Sequence, residues 1–266
     1  MSMKKSVMTA GVFLVTALGA SLATADDALL EEGVLQVAME ATYPPFESYD
    51  GDKIVGFDPD MSALLAEKMS VDVELNDIKF TTLILGLGGG KFDAVISGMY
   101  ITPERVEIAD AIPYAKTGAA IMVLKGSEIR PKNELELCGV KVGLQQGTSW
   151  VKALSELSTS YCVAEGKAPI SIQEFPTAPE VTQALMSRNV EAQVEIAGAA
   201  ALFVERTKGR VEITSPELVY PQTLGIYVKK GNTALKERFE KALAELKADG
   251  SYYELLAEYD LTPVED

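Results

Sequence analysis

Alternation of short apolar runs with helical segments constrains the fold more than any other feature of the sequence. Strand-like runs begin at Val34, Val71 and Ala94, and the segments between them carry apolar residues at helical spacing. This β-α-β-α-β order predicts a parallel sheet with helices packed on it. The pattern starts again at Val140, after a charged segment at 128–136. The sequence therefore predicts an α/β protein of two such units with a cleft between them.

The stretch 93–105, DAVISGMYITPER, indicates what the cleft binds. A buried strand at 94–96 leads into a polar turn, and Thr102 and Pro103 suit the N-cap and first residue of a helix. A helix start attracts anions, and the Arg105 guanidinium can hold a carboxylate with two hydrogen bonds. We interpret the stretch as a carboxylate site. The alternative is a surface arginine paired with an acid beside a capped helix.

Two local predictions concern polar residues in regular structure. Asp58 and Pro59 fit the N-cap and the first position of a helix. The stretch 190–196 alternates apolar residues with Glu191, Gln193 and Glu195, which favours a short strand with a solvent-exposed polar end.

The first 25 residues have the three parts of a secretory signal peptide. Lys4 and Lys5 precede an apolar run at 7–20, and Ala23-Thr24-Ala25 is an A-x-A cleavage site. The run is too short to span a membrane comfortably, and no cysteine follows it for lipid anchoring. We expect cleavage after Ala25 and a periplasmic protein.

Length and charge narrow the function classes. Removal of 25 of the 266 residues leaves 241, enough for one large domain or two of ordinary size. The formal charge changes from −15 to −17 when Lys4 and Lys5 are lost, which argues against nucleic acid and anionic lipid as partners. The chain has no histidine, so Ser-His-Asp catalysis and histidine metal sites are excluded.

Cys138 and Cys162 are the two cysteines of the chain. An even number in an exported protein predicts one disulfide, and the alternative is two free buried thiols. The loop that the disulfide would close has about 25 residues, for which loop entropy gives about 3 kcal/mol of stabilisation.

Six segments resemble the periplasmic solute-binding proteins of the polar amino-acid ABC-transporter family, in the family's order. They are VAMEATYPPFE (37–47), VGFDPDM (55–61), GKFDAVISGMYITPER (90–105), CGVKVGLQQGT (138–148), LGIYVKKGN (224–232) and DGSYYELLAEY (249–259). The resemblance implies a type II periplasmic-binding-protein-like fold, in which each lobe has a mixed, mostly parallel sheet flanked by helices. It also implies one lobe at 26–115 plus 225–266, the other at 120–219, and hinge strands near 116–124 and 219–226.

The resemblance also implies a set of ligand contacts in the cleft between the lobes. Arg105 matches the arginine that binds the ligand carboxylate, and Thr148 lies at a helix start that also meets it. The full set of expected contacts is Glu40, Tyr43, Phe80, Ser97, Gly98, Met99, Tyr100, Arg105, Gln145, Thr148, Ser149, Glu195 and Gln222. No catalytic residue, metal or cofactor is expected.

Two positions depart from the family pattern. Tyr100 replaces a usual Ser or Thr, and Ile196 replaces the Asp that usually meets the α-ammonium group of the ligand. An unpaired buried ammonium is costly. Either Glu195 or Glu40 then takes over this role, or the ligand has no free α-ammonium. We therefore hypothesise an amino-acid derivative or another carboxylated solute.

The resemblance predicts a monomeric binding protein that delivers its solute to the membrane permease of an ABC importer. One alternative is a cyclohexadienyl or arogenate dehydratase, since a few relatives with this fold are such enzymes. It would need Glu195 or Glu40 as a general acid of raised pKa. Another alternative is a ligand-sensing domain that acts through a partner protein.

Overall fold

The computed structural model describes residues 28–265, so the predicted signal peptide at 1–25 lies outside the described residues. The strands are β1 (Val34–Met39), β2 (Thr42–Tyr43), β3 (Glu47–Asp50), β4 (Lys53–Val55), β5 (Asp72–Asp77), β6 (Ala94–Val95), β7 (Ala109–Leu124), β8 (Lys141–Gln145), β9 (Ser171–Phe175), β10 (Ala192–Ile196), β11 (Val211–Ile213) and β12 (Val219–Lys229). The α-helices are α1 (Phe57–Met69), α2 (Leu83–Gly88), α3 (Pro103–Ile108), α4 (Ser149–Leu157), α5 (Ala178–Met186), α6 (Ala197–Arg206), α7 (Thr233–Asp249) and α8 (Ser251–Glu258). No helix in residues 28–265 has the length and apolar character needed to cross a bilayer.

The strands of the main sheet follow the order β5-β1-β6-β12-β7-β10-β8-β9, and β11 pairs with β7. β1 is parallel to β5 and β6, and β8 is parallel to β9 and β10. The predicted parallel β-α-β units are therefore confirmed, one on each side of the antiparallel strands β7 and β12. The result is a two-lobed, mixed α/β fold.

β7 passes from one lobe into the other. Its residues 109–117 pair with β12, and its residues 119–124 pair with β10 and β11. The strand predicted at 119–124 is therefore the second part of a longer one. Near the end of the first part, Lys116 also forms a bridge with Thr262.

The core explains why the central strands have continuous apolar runs. Val37 and Ala38 are neighbours on β1 and point to opposite faces of the sheet, yet both are fully buried. Helices cover both faces of a parallel sheet, so neither face needs polar residues. The disulfide Cys138–Cys162 is present and confirms the prediction. It ties the segment before β8 to a π-helical turn, Ser158–Val163, after α4.

The predicted helix and short strand are both present, but the positions predicted for their polar residues are wrong. α1 begins at Phe57 after an N-cap Gly56, so Asp58 lies inside the first turn and is fully buried. β10 lies between β7 and β8, and this position buries Gln193 and Glu195 along with its apolar residues. A small sheet, β2-β3-β4, also occupies 42–55.

Candidate ligand-binding cleft

A small cavity lies between the lobes, where the loops that follow β1, β6 and β8 meet. It has a volume of about 20 Å³, which is room for about one water molecule. The lining residues come from both lobes and are Tyr43, Phe80, Gly98, Tyr100, Arg105, Gln145, Thr148, Ser149 and Trp150. We call this space the cleft cavity.

Arg105 supplies the charge of the cleft cavity. Thr102 is the N-cap of α3 and Pro103 its first residue, as predicted, because the Thr102 hydroxyl accepts a hydrogen bond from the Arg105 backbone N–H at 3.4 Å. Nη1 of Arg105 donates to the Tyr100 carbonyl at 2.7 Å, and Nη2 donates to the Gly147 carbonyl at 2.9 Å. Burial lowers the pKa of the guanidinium, but arginine remains charged in proteins. No carboxylate in residues 28–265 forms a salt bridge with it.

Buried acids fix the turn at 97–100 from behind. Gly98 N–H donates to Asp58 Oδ2 at 2.6 Å, and the Ser97 hydroxyl donates to Glu47 Oε1 at 2.6 Å. Tyr114 donates to the other Asp58 oxygen, also at 2.6 Å. Burial raises the pKa of Asp58 to about 6, and burial together with the Asp58 charge raises the pKa of Glu47. Asp58 therefore stabilises the turn at 97–100 from its buried position, by accepting the hydrogen bond from Gly98 N–H.

Glu40 is engaged by protein donors. It accepts hydrogen bonds from Phe80 N–H at 3.1 Å and from the Gln145 side chain across the cleft. Burial raises its pKa. Glu40 lies next to the cleft cavity but does not line it.

Glu195 is engaged in the same way. It accepts hydrogen bonds from the Tyr43 hydroxyl across the cleft, from Ile196 N–H at 2.9 Å and from Gln193 Nε2 at 3.1 Å. Burial raises the pKa of Glu195 to about 7. The side chain of Ile196 is fully buried and carries no acid, so an ammonium group would have to displace a donor from Glu195 or Glu40.

Three polar atoms around the cleft cavity have no hydrogen-bond partner among residues 28–265. They are the Tyr100 hydroxyl, Ser149 Oγ and Trp150 Nε1. The Tyr100 and Trp150 rings meet edge to face, with centroids 5.6 Å apart and an interplanar angle of 85°. A buried polar group without a partner costs about 1–3 kcal/mol. Trp150 was not among the predicted contacts, although an aromatic residue directly after the polar turn QQGTS could have indicated it.

The structure brings most of the predicted contacts together. The eight that line the cleft cavity are Tyr43, Phe80, Gly98, Tyr100, Arg105, Gln145, Thr148 and Ser149. Ser97 is buried behind the turn, and Met99 packs with Leu83 and Leu87 in a separate apolar cluster. Gln222 lines a neighbouring opening of about 380 Å³, which Arg105 also borders.

No group of three or more His, Cys, Asp or Glu side chains in residues 28–265 is arranged to hold a metal ion. Between the two α/β lobes lie an arginine that forms no salt bridge within residues 28–265 and polar groups without partners there, an arrangement that suits the enclosure of a small ligand. Residues 35–262 match the model of the bacterial extracellular solute-binding proteins, family 3, and the chain belongs to that family.

The chain is similar to three binding proteins of Escherichia coli K12. It is 30% identical to the L-cystine-binding protein TcyJ over 234 residues, which are 85% of this chain and 84% of the relative. It is 30% identical to ABC transporter arginine-binding protein 1 over 229 residues, or 83% and 88% of the two chains. It is 28% identical to the histidine-binding periplasmic protein over 265 residues, or 97% of each.

Solved structures give the same result. An ancestral arginine-binding protein bound to arginine has a TM-score of 0.78 and 35% identity, covering 85% of this chain and 98% of that one. The ancestral amino acid-binding protein AncCDT-1, a precursor of cyclohexadienyl dehydratase, has a TM-score of 0.76 and 30% identity, covering 89% and 99%. The named relatives are binding proteins, and a precursor of a dehydratase gives the dehydratase alternative only weak support.

Proposed function

We propose that this protein is the solute-capturing component of a bacterial ABC importer. It binds an amino acid, an amino-acid derivative or a related carboxylated solute between its lobes and delivers it to a membrane permease. The observation that carries the proposal is the Arg105 guanidinium, which lines the cleft cavity and forms no salt bridge within residues 28–265. A guanidinium in a water-excluding cleft binds a carboxylate more strongly than it would in bulk solvent.

The proposed lobes are 26–115 plus 225–266 and 120–219, with hinges near 116–124 and 219–226. Support comes from β7 and β12, which are the long strands between the two parallel parts of the main sheet. A solute that contacts both lobes favours the closed arrangement over the open one. Family membership supports a monomer in the periplasm, released by cleavage after Ala25.

The proposal assigns protein contacts to the carboxylate of the solute and none to an α-ammonium group. Arg105 and the start of α4 at Thr148 hold the carboxylate, while Tyr43 and Phe80 cover the solute. Because Ile196 offers no acid and Glu195 already accepts three hydrogen bonds, the preferred solute has no free α-ammonium.

Calorimetric titration of wild-type protein and of Arg105→Ala tests the proposal. The ligands are L-arginine, L-histidine, L-cystine and their N-acetyl derivatives. We expect the wild type to bind at least one of them and Arg105→Ala to bind it about 30-fold or more weakly, since removal of one partner of a buried charge pair costs about 2–5 kcal/mol.

Arg130→Ala is the matched control, because Arg130 forms an exposed salt bridge with Glu212 away from the cleft cavity. It should leave the affinity unchanged. Equal affinities for wild type and Arg105→Ala would contradict the proposed role of Arg105. A clear preference for a plain L-amino acid would contradict the inference that the preferred solute has no free α-ammonium group.

A further inference from the structure

The unpartnered polar atoms of the cleft cavity describe the ligand beyond its carboxylate. Tyr100 and Trp150 are almost fully buried, at 4% and 3% exposure, and both carry a polar atom without a hydrogen-bond partner within residues 28–265. Ser149 Oγ, beside Trp150 in sequence, is in the same condition. All three residues line one cavity together with Arg105. Three unpartnered groups in one small space are costly unless a ligand satisfies them.

The chemistry of these three atoms is that of donors. The indole N–H of Trp150 can only donate a hydrogen bond. Burial raises the pKa of Tyr100, so its hydroxyl stays protonated and able to donate. The Ser149 hydroxyl donates or accepts as required. A ligand atom that met all three would therefore be a hydrogen-bond acceptor.

The charge of the cavity agrees with this. Its lining contains the cation Arg105 and no Asp or Glu. The two nearby acids accept hydrogen bonds from the protein itself. Glu40 accepts from Gln145 and Phe80, and Glu195 accepts from Tyr43 and Gln193. The cavity thus complements an anionic, acceptor-rich solute better than a cationic side chain.

We propose that Tyr100, Ser149 and Trp150 form a second subsite that binds a hydrogen-bond acceptor of the solute. The solute is then a carboxylate with a further acceptor, such as a second carboxylate, an amide carbonyl or a 2-oxo group. This inference rests on the proposed function, in which Arg105 holds the first carboxylate.

Titration with matched pairs of carboxylates tests the subsite. Succinate and 2-oxobutyrate are each paired with butyrate, so that each pair differs in the second acceptor, and L-alanine is titrated alongside them. We expect the acceptor-bearing member of at least one pair to bind about tenfold or more tightly than its partner, since a hydrogen bond to a neutral or charged acceptor contributes about 1–3 kcal/mol.

Tyr100→Phe, Ser149→Ala and Trp150→Phe should each reduce that affinity about three- to tenfold and leave the affinity for the other member of the pair unchanged. Tyr49→Phe is the control, because the Tyr49 hydroxyl is exposed and bonds Asp77 outside the cavity. Without ligand, Tyr100→Phe should unfold at the same temperature as the wild type or a higher one, since it removes an unpartnered hydroxyl.

The outcomes separate the two proposals. Binding of L-arginine, L-histidine or L-alanine as tightly as any acceptor-bearing probe would overturn the subsite and leave the proposed function in place. Two other results would also overturn the subsite and leave the proposed function in place. One is an unchanged affinity in all three variants, and the other is an unliganded Tyr100→Phe that unfolds several degrees below the wild type. Failure of every carboxylate in both experiments to bind would count against the proposed function itself.

Discussion

Gly147 lies at a close contact between the two lobes at the cleft. Its φ is +77°, and a Cβ built on it would lie 3.2 Å from Thr81 Cγ2 and 3.6 Å from Phe80 Cδ1. Its carbonyl also accepts the hydrogen bond from Arg105 Nη2. Glycine is therefore required here both for the backbone conformation and for the close contact.

We predict that Gly147→Ala weakens solute binding by holding the lobes apart. The measurement is calorimetric titration with whichever carboxylate the wild type binds. Gly166→Ala is the matched control, since Gly166 has φ +72° and a Cβ on it would meet nothing within 4 Å. Both variants carry similar backbone strain, of about 1–2 kcal/mol. Equal losses of affinity in the two variants would contradict the contact argument.

Prediction from sequence succeeds at residues whose role is local. Thr102 and Pro103 follow from helix-start chemistry, which needs only neighbouring residues. The burial of Glu195 cannot be predicted from its sequence neighbours, because it depends on strands that are distant in sequence and on Tyr43 from the other lobe. The same holds for Asp58, whose donor Gly98 lies 40 residues away.

At the level of elements, β7 shows why the sequence predicted only part of a strand. Its first part carries Pro113, which interrupts the strand pattern because proline cannot donate to a ladder. In the structure Pro113 lies opposite Gly225, where the register with β12 shifts. The irregularity accommodates the proline, and it is not visible in either segment taken alone.

The disulfide joins two elements whose stability depends on it. We predict that the double variant Cys138→Ser/Cys162→Ser loses about 3 kcal/mol of unfolding free energy, because the unfolded chain is no longer closed into a loop. Urea unfolding measures the loss. Addition of dithiothreitol should bring the wild type to the stability of the variant and leave the variant unchanged. The prediction would be contradicted if dithiothreitol, added to the urea-unfolded wild type, left its free energy of unfolding unchanged.

The whole molecule carries several buried acids, and its stability should depend on pH accordingly. Burial raises the pKa of Glu195 to about 7 and that of Asp58 to about 6, above their values in an unfolded chain. The folded state therefore binds more protons than the unfolded state between about pH 5 and pH 7, so stability falls as the pH rises through this range.

We predict that the free energy of unfolding is roughly 2 kcal/mol higher at about pH 5 than at about pH 7.5 from Glu195 alone. Urea unfolding at several pH values measures the difference, and Glu195→Gln should flatten the profile. The acids with lowered pKa are Glu104, Asp110, Glu212 and Asp249, and they titrate below this range and do not reverse the trend. A stability that rises with pH between these values would contradict the prediction.

The bridge between Lys116 and Thr262 has a practical consequence for anyone who labels this protein. Thr262 N–H and carbonyl both bond Lys116, at 3.1 and 2.7 Å, so the chain terminus is anchored beside the strand at which the proposed lobes pivot. A fluorophore or surface tether attached to the tail would therefore hardly travel during closure. This position therefore suits immobilisation of the protein. It is a poor position for an energy-transfer label, and the two labels of such a pair are better placed on the outer strands β5 and β9.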